Sequence, residues 1–138
     1  MTRLTMTAAA ALLLTGTAAF ADAHATPMVE AMDQDVSNGV VSAGTVMAPE
    51  NGWLVVHRTD ADMAPGPVVG HAPLRAGENI DVAAILTEDV APGDMLMLMV
   101  HAEDGGMRTG IFEYTLGATE DGPIRMDGNL VMSVVTAQ

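Results

Sequence analysis

The sequence predicts an all-β chain, an immunoglobulin-like β-sandwich of about seven or eight strands behind a cleaved signal peptide. Two observations carry this reading. From Met28 onward, short apolar runs alternate with Gly, Pro, Asn and Asp clusters at regular spacing, as strands joined by tight turns do. Ahead of them, Arg3 is followed by an Ala- and Leu-rich stretch from Ala8 to Phe20 and by the small-x-small site Ala19-Phe20-Ala21, the order of a secretory leader. That stretch is too short and too rich in alanine to span a bilayer. Residues 1–21 are thus read as a signal peptide, 22–27 as a flexible tail and 28–138 as a single β-sandwich domain. The location implied is secreted or periplasmic.

The strand candidates, in order, are Gly39–Met47, Trp53–Arg58, Val68–His71, Ile80–Leu86, Met95–His101, Ile111–Leu116 and Leu130–Val135. Their separators carry turn chemistry, such as Pro49-Glu50-Asn51-Gly52, Ala91-Pro92-Gly93-Asp94 and Asp127-Gly128-Asn129. No stretch in this region has a capped helical period. Period-two alternation then assigns faces. Trp53, Val55 and His57 share one face of their strand, with Leu54, Val56 and Arg58 on the other. Met95, Met97, Met99 and His101 oppose Leu96, Leu98 and Val100, and two apolar faces mark a central strand. Ile80, Val82, Ala84 and Leu86 are expected to point inward, and Trp53, the single tryptophan, to anchor the core.

Charge narrows the function classes. The formal net charge is −13, from 18 acids against five arginines and no lysine. Loss of the leader removes Arg3 and none of the acids. Nucleic acids and anionic membranes are disfavoured partners for such a chain. No later segment is apolar for long enough to span a membrane. There is no cysteine, so neither a disulfide nor a lipid-anchoring Cys is available. Catalytic signatures are missing too: no Gly-x-Ser-x-Gly and no phosphate-cradling glycine loop.

Several segments resemble a family of exported β-rich domains of unknown function, found in haloarchaeal surface proteins and bacterial secreted proteins. The resemblance rests on Asp33-Gln34-Asp35-Val36, Gly52-Trp53-Leu54-Val55-Val56-His57, Gly66-Pro67-Val68-Val69-Gly70-His71-Ala72-Pro73-Leu74, Ala76-Gly77-Glu78-Asn79 and Leu98-Met99-Val100-His101. It implies an exported location and a compact β fold, with no reaction attached. After His101 the family pattern resembles His-x-Asp-x-Gly, whereas this chain has Glu103 and then Asp104-Gly105.

Metal chemistry offers three candidates. Cleavage after Ala21 leaves Asp22-Ala23-His24, whose α-amine, two backbone amides and third-position imidazole suit a square-planar copper(II) or nickel(II) site. Met95, Met97 and Met99, with His101 beyond, are soft ligands for copper(I), or simply a methionine-packed core. His57, His71 and His101 offer three imidazoles, with Asp60, Asp62, Glu103 and Asp104 near enough in sequence to support them. Calcium is set aside, since no segment has the alternating-acid loop closed by a bidentate Glu. Two functions follow. One is a non-enzymatic structural or interaction module of the cell envelope, with an unidentified protein or envelope partner met at exposed sheet edges or at a Gly70–Asn79 loop. The other is a periplasmic copper-binding protein using His24 and the Met/His strand.

Overall fold

The computed structural model describes residues 25–138. The signal peptide, the start of the tail and His24 lie outside the described residues. Nine strands and no helix make up the described chain. They are β1 (Met28–Glu30), β2 (Val40–Ala48), β3 (Gly52–Thr59), β4 (Val68–Leu74), β5 (Gly77–Leu86), β6 (Met95–Ala102), β7 (Arg125–Met126), β8 (Asn129–Leu130) and β9 (Met132–Thr136). Seven of them form one antiparallel sheet in the order β1-β2-β5-β4-β3-β6-β9. β7 and β8 form a separate hairpin, turned by Asp127 and Gly128 at φ 50° and 83°. Two successive positive φ angles match the right-handed strand twist, which is why Asp-Gly sits there.

This sheet cannot be flat. Val41 and Val46 of β2 share one core with Leu54 and Val56 of β3, Leu96, Leu98 and Val100 of β6 and Val135 of β9. Strands that far apart in the sheet order meet only if the sheet curls over itself. Its two ends close where Gln34, just after β1, bridges Ala137 in parallel. The result is a β-sandwich-like arrangement around one aliphatic core. Among the described residues no helix is long and apolar enough to cross a membrane.

Three strand-level expectations change. Leu130–Val135 is not one strand: it is divided at Val131 between β8 of the hairpin and β9 of the main sheet. Ile111–Leu116 is not a strand: it lies in an irregular segment, 103–123, in which Gly105, Gly110 and Gly117 have positive φ and Ile111 and Leu116 are half-exposed. Ile80 points outward. Asp81, at φ 52° opposite the side-chain-free Gly44, rotates β5, so the inward set is Val82, Ala84 and Leu86. The inward parity of β2 flips at the same level, from Val41 and Ala43 to Val46 and Ala48. Gly70–Asn79 is not a loop either. It is the end of β4 and the start of β5, joined by a tight turn at Arg75-Ala76.

Candidate functional site

β3 and β6 pair with Trp53 opposite His101, Val55 opposite Met99 and His57 opposite Met97. These six side chains lie on the face turned away from the aliphatic core, yet all six are buried. The 103–123 segment folds back over the aromatic members of this face, with Phe112 against Trp53 and Tyr114 against His57 and His101. Its single tyrosine, Tyr114, lies edge-on to both imidazoles, with ring centroids 4.5 Å from His101 and 5.8 Å from His57. Trp53 anchors this second cluster and not the main core. It sits edge-on to His71 and Phe112, and its Nε1–H is buried without a hydrogen-bond acceptor.

His57 and His101 are two register levels apart, and they lean toward each other over Val55 and Met99. A β-bulge in the β3–β4 pairing falls between Val56 and His57, the kind of irregularity that re-aims a side chain. It brings the carbonyl of Gly66 to 2.7 Å from His57 Nδ1. A Cβ on Gly66 would collide with the Arg58 carbonyl, so this close return of the chain needs glycine. His101 Nδ1 lies 2.6 Å from the carbonyl of Asp121. Each carbonyl can only accept, so each Nδ1 carries the proton and donates. The two Nε2 atoms face one another at 3.4 Å.

Both rings are fully buried. Burial pushes the His101 pKa down to about 4, and the neighbouring His57 adds a smaller push in the same direction. Burial lowers His57 as well, partly countered by its bond to Gly66. At neutral pH both rings are therefore neutral, and two lone pairs point at each other. Moving one proton from Nδ1 to Nε2 would relieve that contact but set a lone pair against a carbonyl oxygen. Either way one buried polar contact is unmet, at a cost of about 1–3 kcal/mol.

A cation between the Nε2 atoms removes the conflict. Two imidazole nitrogens about 2.0–2.1 Å from one ion, at a tetrahedral angle, stand about 3.4 Å apart, which is the separation seen here. Met99 lies at the register level between the two rings, and Met97 is directly opposite His57. Both are buried on the same face, so thioethers and not carboxylates share that face with the two imidazoles. The backbone carbonyls on Nδ1 fix tautomer and ring orientation, as such partners do for metal-bound histidines.

Other expected residues are placed elsewhere. His71 is exposed on β4 and stacks on Phe112 at 4.3 Å, so the three imidazoles do not converge. Among the described residues no group of three or more His, Asp or Glu side chains is placed to hold a metal. Asp60 and Asp62 lie in the exposed β3–β4 turn. Glu103 accepts a hydrogen bond from the Gly110 amide, away from the histidines. Met95 is only half-buried at the start of β6. Tyr114 and Asp121 are the residues that sequence reasoning misses. Tyr114 reads as part of a strand, and Asp121 sits in an acidic Gly-containing stretch indistinguishable from other turns.

No curated protein and no solved structure matches the chain. A family model described as a domain of unknown function (DUF7282) matches residues 27–138, which takes in every strand and the whole of the covered histidine pair. The chain belongs to that family of domains of unknown function.

Proposed function

We propose that this protein is an exported, non-enzymatic copper-binding domain that holds one copper(I) ion between His57 and His101. The observation that carries the reading is the pair of Nε2 atoms facing one another at 3.4 Å, each ring held at Nδ1 by a backbone carbonyl. Copper(I) is favoured over zinc because the further donors on that face are the thioethers of Met99 and Met97, and soft sulfur selects a soft ion. The leader-like N-terminus supports export. The terminal Asp22-Ala23-His24 motif, when freed by cleavage, supports a separate copper(II) site of square-planar nitrogen donors.

Copper(I) titration of the exported protein against a competing chromogenic chelator tests this. The expectation is one tightly held ion per chain, kept in His24→Ala and lost in His57→Leu. Retention in His57→Leu with loss in His24→Ala would assign all the copper to the terminus and overturn the internal site.

A second reading, an interaction module of the envelope, is favoured by a separate feature. A groove of about 690 Å³ is lined by Val29–Gln34, Ser42, Gly44 and Ser133, the exposed Met32 among them. Protein that takes up no copper under any loading condition would leave this as the function to pursue.

A further inference from the structure

Asp121 is a charged residue in a place that a turn does not require. It is 1% exposed, with φ 45°. Among the described residues no cationic side chain pairs with it; the ion pairs are those of Arg58. Its charge is met by main-chain N–H groups of the 103–123 segment. Oδ2 accepts from the Glu113 amide at 2.7 Å and Oδ1 from the Asp104 amide at 3.2 Å. Its own amide donates to the Asp104 carbonyl at 2.8 Å, closing the segment end to end. Its carbonyl takes the Nδ1–H of His101.

The residues that follow Asp121 are tied to the sheet. The Ala102 amide donates to the Gly122 carbonyl, the Ile124 amide donates to the Val100 carbonyl, and Pro123 bridges His101. The carbonyl of Asp121 is therefore anchored by β6, whereas its carboxylate holds the cover at the Asp104 and Glu113 amides. Glu113, the residue captured by Oδ2, immediately precedes Tyr114, the side chain that closes over both imidazoles.

We propose that Asp121 is the positioning residue of the site. Its side chain latches the 103–123 cover over the pair, its main chain orients His101, and an ion reaches or leaves the two Nε2 atoms through release of that latch. The inference rests on the copper reading for its purpose, but its test does not need copper.

The test uses the metal-free full chain and two readouts. Asp121→Asn suits the positive φ, keeps the carbonyl to His101 and puts an amide NH2 where one of the two main-chain N–H donors needs an acceptor. Hydrogen exchange is expected to show the 104–117 amides losing protection by about tenfold or more, the change that loss of one hydrogen bond brings to a local opening, with the β3 and β6 amides unchanged. Diethyl pyrocarbonate, read by peptide mass spectrometry, should then modify His57 and His101 about tenfold faster or more, with added N-acetylhistidine as the standard because His71 itself stacks on Phe112 of the cover.

Should Asp121→Asn fail to fold, Glu113→Pro removes the N–H from the other end of the same bond and is expected to give the same two changes. Unchanged protection of the cover, or a loosened cover with His57 and His101 still as unreactive as in the parent, overturns the proposal. In copper-loaded protein the same variants should pass copper(I) to a chelator faster at unchanged stoichiometry. A parent chain that takes up no copper, with both metal-free changes seen, would strike the copper reading and leave Asp121 as the latch of a covered histidine pair.

Discussion

β3 and β6 bury both of their faces, and the two faces are built differently. One carries Leu54, Val56, Leu96, Leu98 and Val100 into the aliphatic core that the curled sheet closes around. The other carries Trp53, Val55, His57, Met97, Met99 and His101 beneath a glycine-rich cover. The first face is made of groups that gain from burial alone. The second holds two imidazoles that lose solvation and leave one contact between themselves unmet. The same backbone supports both, because alternation lets each strand present unrelated chemistry on its two sides. Stability should therefore follow the first face, and conditional behaviour the second.

The largest effect should come from the aliphatic face. Leu98→Ala is expected to cost about 2–5 kcal/mol, because the close-packed neighbours from β2 and β9 cannot collapse fully into the space. Urea unfolding of the metal-free protein measures it. A cost near zero would mean that the curled sheet is held chiefly by the covered face, reversing the comparison.

Acid should act on the other face. With an unfolded pKa of 6.5 and a folded one of about 4, His101 binds its proton more readily in the unfolded chain. Metal-free stability should then fall as pH drops from about 6.5 to about 4, by about 3 kcal/mol from His101, with His57 adding in the same direction. Asp35 and Asp94, whose pKa values lie below the usual carboxylate value, lose their stabilising interactions at lower pH and leave that window to the histidines. His101→Leu should flatten the slope there, and Leu98→Ala should shift the whole curve without changing the slope. Chemical denaturation at a series of pH values distinguishes the two.

How much of this contrast is legible in the sequence follows from how local each signal is. The strands, their alternation and the Asp127-Gly128 turn are properties of neighbouring residues, and they can be read directly. The two-sided burial of Met95–His101 is visible for the same reason. Meeting of His57 with His101 depends on the β3–β6 register, a contact across 44 residues that no local pattern encodes. The segment around Ile111 reads as a strand because Ile111, Phe112, Tyr114 and Leu116 are apolar or aromatic. The glycines around it take positive φ, however, and only Tyr114 among the four is buried. Asp121 gives no signal, since its importance lies in burial and in amides supplied from Asp104 and Glu113.

Met99→Leu sharpens the comparison by separating packing from chemistry. The swap nearly conserves volume, so it should cost less than about 1.5 kcal/mol. Copper(I) affinity should nevertheless fall by about tenfold or more, the least that losing even an outer partner costs a metal site. Competition against a chelator and thermal unfolding of the same samples give the two numbers. Equal affinity in the Met99→Leu variant and the parent would remove the Met99 sulfur from the site and leave the two imidazoles, with Met97 at most, as its donors.

The smallest effect is expected one residue along the chain from His57. Arg58 points to the opposite side of β3, where Nη1 donates to Asp94 Oδ2 at 2.8 Å, Nη2 to the Asp89 carbonyl at 2.7 Å and Nε to Glu88. The group is partly exposed, and water and salt screen its charges. Arg58→Lys loses the planar fork that reaches three acceptors at once. It should lower stability by less than any change above, and added salt should shrink even that difference. The reactivity of His57 and His101 should not change, because the strand separates the two side chains as completely as it separates the two faces. Altered histidine reactivity in Arg58→Lys would instead mean that the β3–β4 turn, which supplies the Gly66 carbonyl, transmits strain from one face to the other.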